Sequence, residues 1–411
     1  MNILFLTMSS GFRNIEARGI YTDLMRKFRD EGHEVYIVYP SERRLGLPTH
    51  LQVANGMHLL GVRTLNVTKS SIIEKGVGQL LLEGQFKRAL KRHFGGVVFD
   101  LILYSTPPIT FNEVIRYAKE QSGGKVMTYL MLKDIFPQNA VDMGMMRKTG
   151  VKGLLYRMFR RKEQELYRIS DFIGCMSPAN VRYVLAHNPE VDPQKVEICP
   201  NSIALPVEQE VTEADRIEQN REIRERYGLP TDRPLFIYGG NLGVPQGIPF
   251  LIECLEANAG REDVHFVVVG TGTYYQRLAD WYRQRAPKAV TVLKGLPKED
   301  YDRLVRACDV GLIFLDYRFT IPNFPSRLLS YLENRMPVIA ATDPNCDMGT
   351  MAEEHGFGLY VPSNDVQAFT RSVDRMLASD RQAMGERGYR FLQQHYLVEH
   401  SLDAILSHFR L

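Results

Sequence analysis

Apolar, β-branched runs alternate with stretches of helical period along the whole chain. Parallel strands covered by helices on both faces require this, because a strand buried on two sides reads as a continuous apolar run. In the first half the strand candidates are residues 2–8, 34–39, 57–62, 100–105, 125–131, 171–176 and 195–200. Ala17, Ile20, Tyr21, Leu24, Met25 and Phe28 recur at helical spacing and predict a first helix, which Gly32 ends. A second αβ series follows, with strands expected at residues 234–238, 265–269, 290–293, 310–315 and 337–341.

Between the two series the pattern dissolves. Pro206, a charged segment over residues 208–226 and Gly228-Leu229-Pro230 read as an interdomain linker. Residues 365–411 read as a final helix interrupted near Gly385 to Gly388, its last part free to pack back onto the first domain. The expected organisation is α/β: Rossmann-like domains at residues 1–205 and 206–395, then a C-terminal helix at residues 396–411.

The length of 411 residues agrees with this, being too much for one ordinary core and natural for two domains of about 200 residues. A 44% apolar content with mixed charges fits a soluble globular enzyme, and a formal charge of +3 gives a nucleic-acid role no support. The start MNILFLTMSS lacks the basic flank and cleavage pattern of a signal peptide and reads as a buried first strand. No segment approaches the ~20 apolar residues that span a bilayer, so any membrane contact is expected to be peripheral. Cys175, Cys199, Cys254, Cys308 and Cys346 show no CxxC or Cys/His spacing, which points to reduced, mostly buried thiols in the cytosol.

Candidate chemistry concentrates in the second half. After the strand PLFIY comes Gly239-Gly240-Asn241-Leu242-Gly243-Val244-Pro245-Gln246-Gly247, a glycine-rich turn that opens onto a helix near Ile248. Such a turn lets backbone approach a phosphate, with Asn241 and Gln246 as neutral donors, although any βα turn can be rich in glycine. Further on, Phe324-Pro325-Ser326-Arg327 reads as a helix start with an arginine in its first turn, where a cation opposes the helix dipole. An anion bound there would remove the conflict. The one DxD, Asp300-Tyr301-Asp302, sits in a helical pattern with its carboxylates pointing apart and reads as a solvated first turn rather than a metal site. No GxGxxG follows the first strand, which argues against a simple NAD enzyme.

At this point the residues match a known family. GHEVYIVYP, DLILYSTPPITF, MLKDIFPQNAVDMG, LYRISDFIGCMSPA with KVEICPNSI, FIYGGNLGVPQG and FPSRLLSYLENRMPVIAATD, in order across nearly the whole chain, resemble family 4 glycosyltransferases of the GT-B fold. The nearest branch is the fucosamine-transferase-like enzymes of bacterial O-antigen and capsule assembly. The resemblance implies two Rossmann-like domains facing across a cleft, with the acceptor on the first and the nucleotide sugar, most readily a UDP-sugar, on the second. It also implies transfer with retention, no metal and no further cofactor.

Carried onto this chain, Asn241 and Gln246 stand where many members have an arginine and a lysine, and Arg327 stands in place of the branch's lysine. Lys133 and Asp134 match a catalytic pair; Asp134 would orient the acceptor or stabilise positive charge on the sugar, its plain alternative being a turn cap. Gly240, Gly270, Gly272, Lys294, Gly295, Leu296, Ser326 and Ser330 fall on the donor side, and Ser10, Gly11, Arg18 and Gly19 on the acceptor-side loop. One departure stands out: the family's two glutamates, seven residues apart, correspond here to Pro322 and Ser330. That leaves room for a non-catalytic partner or scaffold subunit, and a nucleotide-sugar 2-epimerase is the other alternative. Basic stretches at residues 87–93 and 152–168, the latter carrying Leu154, Leu155, Met158 and Phe159, suit contact with an anionic inner-membrane surface and equally an ordinary amphipathic helix.

Overall fold

The computed structural model describes residues 1–66, 72–206 and 212–409. Its contacts divide the chain into one unit of Met1–Ala204 with Leu397–Leu411 and a second of Leu205–Tyr396.

The first unit is built on an eight-stranded sheet: β1 Asn2–Leu6, β2 Glu34–Glu42, β3 His50–Ala54, β4 Met57–Thr64, β5 Leu101–Ser105, β6 Met127–Leu132, β7 Phe172–Cys175 and β8 Val196–Ile198. The spatial order is β3-β4-β2-β1-β5-β6-β7-β8. Ile3, Leu4, Phe5 and Leu6 are all fully buried, as an inner strand covered on two faces must be. Only β3 runs antiparallel, pairing with β4 through the Asn55-Gly56 turn, where both residues have positive φ. The strand pattern gave no expectation of β3, because Leu51, Gln52 and Val53 are exposed. The first helix is Ile20–Asp30, which buries Leu24, Met25 and Phe28. It starts later than the apolar spacing from Ala17 predicts, because Gly19 occupies the cap position. The helix Val398–Ser407 packs on it within the same cluster, through Leu402, Ile405 and Leu406.

The second unit carries β9 Leu235–Asn241, β10 His265–Thr271, β11 Val290–Lys294, β12 Val310–Phe314, β13 Val338–Thr342 and β14 Gly358–Pro362. All its pairings are parallel, in the order β11-β10-β9-β12-β13-β14. Phe236, Tyr238, Phe266, Phe314 and Phe369 form the aromatic centre of its core. Each unit is thus Rossmann-like. Strand order reverses between β1 and β5 in the first and between β9 and β12 in the second, which is where ligands bind in open α/β sheets, beyond the strands' carboxyl ends.

Two expectations need correction. The charged stretch read as linker contains a helix, Glu213–Arg226, while residues 207–211 lie outside the described residues. It hid from the apolar pattern because only Ile223 among its residues is buried; Thr212 caps its start and Arg221 pairs with Glu225 along its exposed face. The final stretch is three helices, Val366–Ala378, Arg381–His395 and Val398–Ser407. Gly385 and Gly388 lie inside the second of these and do not break it. They are small because the helix packs closely: a Cβ on Gly385 would lie 1.8 Å from the Arg335 carbonyl oxygen. The breaks fall instead at Ser379-Asp380, where Asp380 caps the next helix, and at Tyr396-Leu397.

Candidate functional site

In the second unit, β9 leaves the apolar core after Tyr238 and runs on through Gly239-Gly240-Asn241, still paired with Val269–Thr271 of β10, before the loop turns at Val244–Gln246. Gly240 has φ +128°, a conformation side-chain-bearing residues rarely adopt, and a Cβ there would lie 3.2 Å from Arg327 Nη2. The neighbouring strand end is equally tight, since a Cβ on Gly270 would come within 2.0 Å of the Gly240 carbonyl oxygen. These glycines let the strand ends and Arg327 pack closely, while Gly240 and Asn241 themselves stay exposed, so the backbone at the end of β9 is within reach of a ligand.

Arg327 opens the short helix Arg327–Glu333, with Ser326 at the cap position making no side-chain cap bond. Its guanidinium carbon lies 4.4 Å from the centroid of the Tyr238 ring. Nη1 is buried and has no hydrogen-bond partner. The expected conflict between this cation and the helix dipole is thus met first by an aromatic face, worth roughly 0.5–2 kcal/mol, and not by an anion alone. An unsatisfied N–H on a buried cation costs about 1–3 kcal/mol, which an accepting oxygen would recover.

Asn241 Nδ2 donates to Gln246 Oε1 at 2.9 Å, and Gly243 N donates to the same oxygen at 3.2 Å. The two neutral side chains therefore fold the loop upon itself, leaving Gln246 Nε2 to act as a donor. Gly272 continues the β10 turn against Leu242, whose carbonyl accepts from Tyr274 N. Exposed Lys294 lies 5.8 Å from the Tyr275 ring centroid, Gly295 sits against the Thr271 methyl, and Leu296 is half-buried. Ser330 is half-buried with its carbonyl accepting from Asn334, and Pro322 is buried. Asp300 accepts from Arg226 and Tyr227 while Asp302 pairs with Lys298, so the two DxD carboxylates serve different partners.

In the first unit, Thr106, just past β5, ties down the segment after β6. Its Oγ1 accepts from the amides of Lys133 and Asp134 at 3.0 and 3.1 Å and donates to the Asp134 carbonyl at 2.9 Å. Asn139 Nδ2 lies 2.8 Å from both Asp134 carboxylate oxygens. Burial raises the Asp134 pKa to about 6, partly offset by the Ile135 amide and Asn139. Lys133 turns away: its Nζ donates to the Cys199 carbonyl at 3.0 Å, and burial lowers its pKa. The sequence pair is therefore split: burial shifts both groups toward their neutral forms, but the lysine is bonded to the Cys199 carbonyl while the carboxylate is held by Asn139. After β1, Ser10 and Gly11 are exposed on a short 3-10 turn capped by Ser9. Arg18 donates to the Ala204 carbonyl at 2.6 Å, and the Gly19 amide donates to Asp23 at 3.1 Å.

On the surface of the first unit, Leu154, Arg157, Met158 and Arg161 follow one another at helical spacing on the helix Gly150–Ile169, all exposed. Arg160 instead binds Glu163 and Asn188, and Lys87 of the other basic stretch pairs with Glu113. The Lys152 side chain lies outside the described residues. The aromatic support of Arg327 was not visible in the sequence; the one cue is that Tyr238 directly precedes the glycine turn.

Residues 219–391 match the family described as glycosyl transferases group 1. Over 346 residues, 82% of this chain and 81% of the other, the protein is 23% identical to one named "Probable glycosyltransferase WbjE" from Pseudomonas aeruginosa. Its fold is similar to that of sucrose-phosphate synthase from Thermosynechococcus elongatus, with TM-score 0.74 and 15% identity over 100% of this chain and 98% of that one. A trehalose-6-phosphate structure from E. coli bound with UDP-2-fluoro glucose is also similar, with TM-score 0.71 and 10% identity over 99% and 98% of the two chains.

Proposed function

We propose that this chain, a glycosyltransferase of the GT-B fold, takes a sugar from a UDP-sugar and adds it to a saccharide acceptor, lipid-linked, in bacterial surface polysaccharide synthesis. The observation that carries the donor part is the Arg327 guanidinium, held on Tyr238 beside the exposed Gly240 backbone with Nη1 lacking an acceptor. Negative charge grows on the diphosphate as the glycosidic bond breaks, and a fixed cation with main-chain amides stabilises that charge without a divalent ion. The uridine preference draws on the similar fold solved with UDP-2-fluoro glucose.

In this reading the reaction retains configuration. The acceptor hydroxyl attacks the anomeric carbon from the face the diphosphate leaves, and the departing phosphate oxygen takes the hydroxyl proton. Asp134 orients the acceptor or balances positive charge on the sugar. The fucosamine-transferase-like branch remains the favoured placement. Work on a lipid-linked acceptor would occur at the cytoplasmic face of the inner membrane, approached through the exposed Leu154–Arg161 stripe.

A panel of UDP-, GDP- and dTDP-sugars tests the proposal. Slow hydrolysis and thermal stabilisation confined to UDP-sugars support it, and epimer formation would contradict it. Pro322 and Ser330, standing where the glycosyltransferase family that the sequence resembles carries glutamates, favour a second reading as a non-catalytic partner subunit, which UDP-sugar binding without any turnover would support.

A further inference from the structure

We infer that Tyr238 is a positioning residue for diphosphate recognition, its ring face holding the Arg327 cation while its hydroxyl holds the glycine-bearing strand end that lines the same anion site. This rests on the donor reading above and adds to it the group that sets the geometry.

Tyr238 is the last core residue of β9 and is fully buried, its ring packed edge-on against Phe314 at 6.1 Å between centroids. One side chain therefore touches both halves of the cradle. The ring carries the guanidinium at 4.4 Å, and the hydroxyl donates to the Asn241 carbonyl at 2.8 Å, tying down the glycine-bearing end of β9. Two further tyrosines back that strand end. A Cβ on Gly239 would overlap the Tyr301 hydroxyl at 2.0 Å, and the Tyr331 hydroxyl accepts from the Gly239 amide at 3.3 Å.

A free arginine samples many rotamers, and a cation that must be ordered afresh on each binding event loses affinity to that ordering. Packed on a buried ring, Arg327 is ordered before the ligand arrives. Nη2 lies toward Gly240 and Nη1 still lacks an acceptor, so the donors offered to an incoming phosphate are already fixed in place. Because the same ring's hydroxyl fixes Asn241, cation and backbone are held in one register.

The test is calorimetric titration of UDP and of uridine into the full chain and into Tyr238→Phe, Tyr238→Leu, Arg327→Ala and the Tyr238→Leu/Arg327→Ala double variant. Tyr238→Phe keeps the ring and should weaken UDP roughly five-fold through the lost hydroxyl bond. Tyr238→Leu should weaken it roughly twenty-fold by losing the ring face as well. Uridine affinity should stay within about two-fold in both. In the Arg327→Ala background the further loss from Tyr238→Leu should shrink to the hydroxyl share. Equal weakening of UDP and uridine, the same Tyr238→Leu loss with or without Arg327, or unchanged UDP binding in both single Tyr238 variants would overturn the inference. Should Tyr238→Leu fail to fold, Tyr238→Phe against UDP and uridine decides the hydroxyl's part and Tyr238→Met, which fills similar space without a ring face, takes the place of Tyr238→Leu for the ring's part. Arg327→Ala separates the two claims: if it leaves UDP binding intact, the donor reading itself fails, whereas if it weakens UDP and the Tyr238 variants do not, only the positioning role falls.

Discussion

Arg327 and Tyr238 meet across the second unit's sheet, the guanidinium carbon 4.4 Å from the centre of the phenol ring. Tyr238 is the last apolar core residue of β9 and Arg327 opens the helix Arg327–Glu333. Their contact places a permanent positive charge beside a backbone conformation that side-chain-bearing residues rarely adopt, at the point where strand order reverses.

Replacing that charge should be costly. Arg327→Ala should lower transferase turnover by roughly two to three orders of magnitude, the size expected for losing a main stabiliser of the leaving group. Arg327→Lys should recover only part, because an ammonium lacks the planar fork that stacks and donates in parallel. Steady-state kinetics on variants of unchanged thermal stability checks both.

Asp134→Asn should depress kcat far more than donor affinity, as expected for a group that acts on acceptor or transition state. With its pKa raised to about 6, the carboxylate loses its charge as pH falls through that value. If the ionised form is the working one, the wild-type rate should show an acid limb near pH 6 that the asparagine variant lacks. Stability runs the other way. The folded state holds this proton more tightly than the unfolded chain, so this group's contribution favours folding at low pH and declines as pH rises from about 4 to about 6. Asp134→Asn should flatten that slope in chemical denaturation followed across pH.

Gly270→Ala would force a methyl to within 2.0 Å of the Gly240 carbonyl oxygen. Relief requires the end of β9 to shift, so a destabilisation of about 1–3 kcal/mol, visible in urea titration, should accompany weakened UDP binding.

The exposed stripe of Leu154, Arg157, Met158 and Arg161 should associate with anionic vesicles. Charge reversal at Arg157 and Arg161 tests this without disturbing the fold, unlike reversal at Arg160, which would break the bonds to Glu163 and Asn188. Flotation that persists unchanged in Arg157→Glu/Arg161→Glu would remove the stripe as the membrane-facing surface, and no flotation of the wild-type chain would remove the membrane role.

Much of the fold was legible because buried parallel strands must be apolar on both faces, as Ile3 to Leu6 and Phe266 to Val269 are. β3 was missed although Asn55-Gly56 is a strong hairpin cue, since its exposed residues carry no core pattern. The helix Glu213–Arg226 escaped for a related reason: it is held by a cap and ion pairs, which an apolar pattern does not register. Gly385 and Gly388 misled because a glycine chosen for close packing looks, in sequence, like one chosen to break a helix. At the site, the glycine turn and Arg327 could be read locally. Tyr238 as the surface beneath Arg327 could not, since that pairing joins distant segments and exists only once β9 and the helix after β12 are packed. The division of Lys133 from Asp134 was equally hidden, being decided by where Cys199 and Asn139 end up.

The central claim is that a pyrophosphate is met by a guanidinium and main-chain amides, and titration of UDP in the presence of EDTA tests it most directly. The account predicts that UDP binds the wild-type chain undiminished by the chelator and binds Arg327→Ala at least ten-fold more weakly. Binding abolished by EDTA, or equal affinity in the two proteins, would contradict it.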